Sequence, residues 1–282
     1  MTYQLLIDVP TLQAHLADPN FRVVDCRFEL GEPGAGRAVY QRGHIPAATY
    51  AHLDDDLSGP RTPWTGRHPL PDASTLAATF SRLGIDGDTQ VVAYDDSGGA
   101  YAARLWWLLR WLGHVSVAVL DGGLAAWQAA GLPLSTSATS VAARRFVAAA
   151  PVVAQVTADE LALLLARKAC WLLDARSTER FEGRIEPLDP RAGHIPGASS
   201  RPFARNLGPD GRFLAPAALQ DQLSRLLRGR PATEVVSMCG SGVTACHTLL
   251  ALEIAGLSGA RLYAGSWSEW CRDPARPVAV GP

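Results

Sequence analysis

Residues 235–256 read "VVSMCGSGVTACHTLLALEIAG". Val235 and Val236 are a β-branched run of the kind that makes a short buried strand. From Val243 to Ala255 the apolar positions Val243, Leu249, Leu250, Leu252 and Ile254 suit a partly buried, amphipathic helix, and Gly256 is placed to end it. Cys239 therefore falls on a strand-to-helix loop. Backbone N–H groups of such a loop and of the first helical turn have no intrahelical partner and favour an anion. A thiolate is such an anion. Gly240 and Gly242 beside it point to close backbone approach rather than side-chain packing. Cys239 thus reads as a reactive thiol. Cys26 in "VVDCRF" and Cys170 in "ACWLLDAR" sit in or beside apolar runs and read as small buried hydrophobes. Cys246, two helical turns on, reads as a packing residue, and Cys271 carries no signal.

The same pattern occurs earlier in the chain. "VVAYDDSGGAYAARLWWLLRWLG" (91–113) aligns with residues 235–256 after one gap, and "VVDCRF" (23–28) returns as "LLDARS" (172–177). "GHIPAA" (43–48) returns as "GHIPGA" (193–198), and "LDGGLAAW" (120–127) as "YAGSWSEW" (263–270). A single domain-sized duplication explains this, not a solenoid of short units. The expected organisation is a first domain over 1–137, a linker over 138–154 rich in Ser, Thr and Ala, and a second domain over 155–282. Within each half, apolar runs alternate with helical patterns, in the first half near 74–83 and 99–112 and into Gly131. Such alternation predicts an α/β fold, a mainly parallel sheet flanked by helices, with ligands beyond the carboxyl ends of the strands. Cys239 falls there. The first half has Asp95 at that position, so only the second half carries a nucleophile.

Composition bounds the rest. The chain has 282 residues, of which 48% are hydrophobic and 19% charged, and a net charge of -1. Nothing general in that charge favours nucleic acid or an acidic membrane. "LWWLLRWLGHVSVAVL" is interrupted by Arg110 and His114, so no membrane span is expected. The N-terminal stretch carries acids early and no basic region, which argues against a secretory signal. Five cysteines without metal-like spacing point to a reducing compartment, the cytoplasm, and to no metal site.

These motifs, in this order and duplicated, resemble a two-domain rhodanese-type sulfurtransferase over nearly the whole chain. "CGSGVTA" (239–245) is similar to the active-site loop of the 3-mercaptopyruvate branch, whereas thiosulfate-specific members usually carry a basic pair where Gly240 and Ser241 stand here. The resemblance implies tandem rhodanese-like domains and a Cys239 that accepts a sulfane sulfur as a persulfide, with Gly240, Ser241, Gly242, Val243 and Thr244 cradling the anionic sulfur. It implies a relay of Ser241, His68 in "GRHPLP" and Asp54 in "YAHLDDD", with the adjoining Asp55 and Asp56 as rivals for the place of Asp54. It also implies donor binding by Arg180 in "STERFEGR" and by Arg191 in "LDPRAGHIPGA", where the spacing is two residues longer than in the family and Arg184 is a rival. His44 and His194 recur in both halves and read as turn-stabilising, and His247 as a packing or surface residue. The implied partners are a small-molecule sulfur donor, 3-mercaptopyruvate or thiosulfate, and an acceptor that is cyanide or a thiol, a thioredoxin-like protein among the candidates. No organic cofactor is implied. The alternatives are a thiosulfate sulfurtransferase on the same scaffold and a non-enzymatic persulfide carrier or redox sensor. A cysteine phosphatase needs an arginine six residues after the cysteine, where this chain has Ala245.

Overall fold

The computed structural model describes residues 2–282. The chain forms two compact units. One comprises Met1–Gly59, Pro71–Val152 and Pro209–Phe213; the other comprises Pro60–Leu70, Val153–Gly208 and Leu214–Pro282. The halves of the sequence therefore exchange short segments, and Arg67 and His68 belong to the unit that carries Cys239.

In the first unit the elements are β1 (Leu6–Ile7), α1 (Val9–His15), β2 (Phe21–Asp25), α2 (Ala35–Arg42), β3 (Thr49–Tyr50), α3 (Ala73–Arg82), β4 (Gln90–Tyr94), α4 (Ala102–Trp111), β5 (Val117–Leu120) and α5 (Gly123–Ala129). The strands lie in the order β1-β5-β4-β2-β3 and all pair in parallel. The helices expected near 74–83 and 99–112 and into Gly131 are α3, α4 and α5. β4, "QVVAY", is buried at every residue because helices cover both faces, which is why it reads as a continuous apolar run. Residues 138–153 contain no helix or strand. The stretch runs along the first unit, where Phe146 is buried and Ala149 N–H donates to the Leu112 carbonyl.

The second unit repeats the plan with β6 (Ala154–Gln155), α6 (Ala158–Ala166), β7 (Trp171–Asp174), α7 (Thr178–Phe181), β8 (Ser199–Ser200), α8 (Pro216–Leu227), β9 (Val235–Met238), α9 (Thr244–Ile254), β10 (Arg261–Leu262) and α10 (Ser266–Trp270). Its parallel order, β6-β10-β9-β7-β8, matches the first sheet position for position. One expectation needs correction. α9 is not amphipathic: Ala245 to Leu252 are all buried, His247 and Thr248 included. Its polar His247 is accommodated by Asn206, whose Nδ2 lies 3.2 Å from His247 Nδ1.

Both units share a buried aspartate–arginine clamp at the end of the second strand. Asp25 takes two hydrogen bonds from Arg27 Nε and one from Nη2, and that Nη2 also reaches the Gly43 carbonyl at 2.7 Å. Arg176 repeats these contacts with Asp174 and the Gly193 carbonyl. The clamp ties each strand end to its "GHIP" turn. A buried pair of this kind is tolerable because nearly every donor and acceptor is matched.

The units differ after the fourth strand. In the first, the Asp95 carboxylate accepts from four backbone N–H groups, those of Ser97, Gly99, Tyr101 and Ala102, each at 2.8 Å. Burial pushes this carboxyl up from the ordinary range, and the four N–H groups pull it back. The loop thus holds an anion supplied by its own chain. An amide cannot accept at both ends, so Asp95→Asn points N–H2 at two N–H donors. Unmet buried donors cost about 1–3 kcal/mol, and urea unfolding of Asp95→Asn is expected to show the first unit destabilised by that order.

Candidate active site

Cys239 lies between the end of β9 and the start of α9, and its side chain is buried. The N–H of Gly242 points at its sulfur from 3.2 Å and that of Ser241 from 3.5 Å. Negative charge on that sulfur is therefore met by main-chain dipoles. Gly242 has φ +79°, and a Cβ there would run into the Ala264 carbonyl, so the turn requires glycine. Val243, nearly buried, is the last residue before α9, and Thr244 is the first within it.

The loop is anchored from α10. Ser266 Oγ accepts from Cys239 N at 3.1 Å and donates to the Tyr263 carbonyl at 2.9 Å. Trp267 N and Ser268 N donate to the Cys239 and Gly240 carbonyls at 3.0 and 2.9 Å. Ser266 has φ +55°, a left-handed backbone that serine adopts at a cost. Its partner in the repeat, Gly123, has the same φ without the cost. Nothing in the sequence pattern marks Ser266 beyond this glycine-to-serine exchange between copies.

Two of the expected relay members meet. His68 Nδ1 lies 2.7 Å from Ser241 Oγ, and both residues are buried. The segment carrying His68 is held within the second unit: Arg67 N donates to Ser268 Oγ at 2.9 Å, and Arg272 reaches the Thr65 carbonyl at 2.9 Å. Asp54 lies in the first unit, on the turn after β3. Its neighbours are committed there, Asp55 to Arg37 and His52, and Asp56 to Arg82 and the His52 N–H.

The arginines divide differently from expectation. Arg180, on the short helix α7 that Ser177 caps, stands over Gly240: a Cβ on Gly240 would lie 3.3 Å from its Nη1. Arg67 stands beside it, its Nη2 3.2 Å from that same point. Arg191 is not brought there. Its guanidinium donates to the Asp273 and Arg276 carbonyls and holds the C-terminal segment. Arg184 is exposed and pairs with Glu182 and Glu179. Arg67, and not Arg191, is thus the guanidinium that stands with Arg180 over Gly240. The signal was available in "GRHPLP", where the basic residue adjoins His68.

The remaining candidates take structural roles. His44 and His194 place Nδ1 2.8 Å from the Tyr40 and Phe181 carbonyls and stack on those same rings. Cys246 donates to the Gly242 carbonyl. Burial raises the Cys26 and Cys170 thiols, and raises Cys271 to about 11. Among the described residues no group of three or more His, Cys, Asp or Glu side chains is arranged to hold a metal ion, and no helix is long and apolar enough to cross a membrane.

The model of the rhodanese-like domain matches residues 8–130 and again 157–273. The chain belongs to the rhodanese-like family, as a two-domain member. A probable 3-mercaptopyruvate sulfurtransferase of Pseudomonas aeruginosa is 52% identical over 283 aligned residues, covering 100% of both chains. A putative thiosulfate sulfurtransferase of Mycobacterium tuberculosis is 42% identical, over 92% of this chain and 90% of that one. The crystal structure of SseA from Escherichia coli, a 3-mercaptopyruvate sulfotransferase by its description, superposes with a TM-score of 0.82 at 32% identity. It covers 95% of this chain and 100% of that one.

The Ser266 bond to Cys239 N gives a test of the anchor. Ser266→Ala keeps the left-handed backbone and removes the acceptor, leaving a buried N–H unmet at a cost of about 1–3 kcal/mol. Sulfur loading by Ser266→Ala is expected to slow roughly tenfold, and Ser266→Gly, which relieves the backbone, to recover melting temperature without recovering rate. Stopped-flow loading and thermal melts of both variants check this.

Proposed function

We propose that this protein moves a sulfane sulfur from 3-mercaptopyruvate, through a persulfide on Cys239, to a thiol or to cyanide. It is a sulfurtransferase, as its family and its full-length relatives are. The single observation that supports the keto-acid donor is the Ser241–His68 hydrogen bond beside an uncharged loop, with Arg67 and Arg180 standing over Gly240.

The chemistry follows from that arrangement. The Cys239 thiolate attacks the donor sulfur, and the carbon–sulfur bond breaks with its electron pair passing to the carbon of an enolate. The donor thiol's proton must reach that carbon to give pyruvate, which is the task of Ser241 and His68 as a proton relay. The sulfur stays on Cys239 as a persulfide anion, held by the Ser241 and Gly242 N–H groups, so one transfer is divided into loading and unloading. An incoming thiolate or cyanide then takes the outer sulfur and regenerates the Cys239 thiolate. Arg67 and Arg180 present guanidinium groups suited to the donor carboxylate. Asp54 is proposed for the relay on its place in "YAHLDDD" alone.

A thiosulfate donor is the second reading, and the Mycobacterium tuberculosis relative is what favours it. Sulfite leaves thiosulfate without any carbon to protonate, so that reaction gives Ser241 and His68 nothing to do. The acceptor class includes a thioredoxin-like protein, and the five free cysteines suit a reducing, cytoplasmic setting.

Cys239→Ser should abolish transfer with both donors, because a hydroxyl cannot store a sulfane sulfur. Intact mass of donor-treated wild type rises by one sulfur, and that of the variant stays unchanged; residual turnover would refute the assignment. His68→Ala should lower kcat with mercaptopyruvate by roughly 100-fold or more, the usual worth of a positioned acid–base group, and with thiosulfate by much less. Equal losses with both donors would mean that His68 only supports the loop.

A further inference from the structure

The two arginines over the loop are not free cations. Arg67 Nη1 donates to Asp189 Oδ1 at 2.7 Å, and Arg180 Nη2 donates to Asp189 Oδ2 at 3.1 Å, so one carboxylate holds both guanidiniums. Glu186 takes Arg180 Nη2 at 2.7 Å and Nε at 3.2 Å, and accepts from Arg176 Nη1 at 3.3 Å. The side chains of Asp189 and Glu186 are 1% and 3% exposed. With the Asp174–Arg176 clamp, three guanidiniums meet three carboxylates beside the Cys239 loop. Before any donor arrives the cluster carries no net charge.

We infer that Asp189 and Glu186 set the charge of the donor that the site accepts: by cancelling Arg67 and Arg180, they favour a monoanionic keto acid over dianionic thiosulfate. The inference rests on the sulfurtransferase reading. A keto acid brings one carboxylate, whose bidentate geometry suits a guanidinium that keeps outward N–H groups. Thiosulfate brings a second negative charge next to the Cys239 thiolate, and a neutral cluster leaves that charge uncompensated. The acids matter because the cations nearest the loop are already theirs: the atoms nearest to a Cβ on Gly240 are the terminal nitrogens of Arg67 and Arg180, at 3.2–3.7 Å. Charge in this site is adjusted from beneath the arginines.

Asp189→Asn removes one negative charge at nearly constant volume and keeps one acceptor. We expect the ratio of kcat/KM for thiosulfate to that for mercaptopyruvate to rise about tenfold, as one charge some 10 Å away in a partly screened cleft would give. The change should appear chiefly in the thiosulfate KM and shrink as salt is raised to about 0.5 M. Glu186→Gln should move the ratio the same way, so the test stands even where Asp189→Asn folds poorly. Asp189→Glu keeps the charge and should keep the wild-type ratio.

A purely structural role would lower both donors in parallel. An unchanged ratio in Asp189→Asn and Glu186→Gln, or a ratio that does not respond to salt, overturns the inference. Failure of the reading beneath it looks different: wild type would then gain no sulfur mass from either donor, and both proposals fall together.

Discussion

Backbone N–H groups aimed at a single side chain, at the carboxyl end of the central strand, are the constraint around which each unit is arranged. The parallel sheet puts that strand end beneath a helix start, where main-chain donors have no partner of their own. A side-chain acceptor meets them there. The first unit answers with the Asp95 carboxylate, which saturates four N–H groups at 2.8 Å. The second answers with a sulfur that two N–H groups reach at 3.2 and 3.5 Å. A carboxylate that fills its own cradle makes a stable turn and no chemistry. A sulfur met by two such N–H groups is what the persulfide proposed above requires.

Holding Cys239 that way shifts strain onto its neighbours. Gly242 is required by φ and by the Ala264 carbonyl, and Ser266 accepts a left-handed backbone that its repeat partner Gly123 adopts freely. The cost of a non-glycine residue there is about 1–2 kcal/mol. The hydroxyl offsets it by satisfying the buried Cys239 N–H. Strain of this kind collects where a chain must fix a reactive group, and here the duplicated unit supplies the unstrained comparison.

Much of this was legible in the sequence because it is local or repeated. The strand–loop–helix around Cys239, the duplicated "GHIP" turns and the order of helices and strands follow from short-range pattern. Ser241 and His68 lie 173 positions apart and meet at 2.7 Å, and only the family resemblance paired them. Arg67, Asp189 and Ser266 escaped notice because a guanidinium, a carboxylate and a hydroxyl acquire their roles from partners far along the chain. Arg191 shows the converse. Its motif position suggested a ligand contact, but its two longer-spaced residues deliver the guanidinium to the Asp273 and Arg276 carbonyls. α9 misled for a related reason: His247 and Thr248 mimic a polar face, yet Asn206 supplies a partner that lets His247 be buried.

The loop glycine at 240 is then explained by space and charge together. Its backbone φ is unexceptional, so conformation alone does not demand glycine. What favours it is the pair of guanidiniums that a side chain there would crowd, which arrive from α7 and from the His68 segment. Each is already matched to Asp189, and Arg180 also to Glu186. A cation built into the loop would have to sit against both, unpaired and partly out of water, which is costly. Placing the positive charge on distant segments keeps the loop backbone close to the sulfur. It also lets acids at the base of the arginines determine how much of that charge a donor feels.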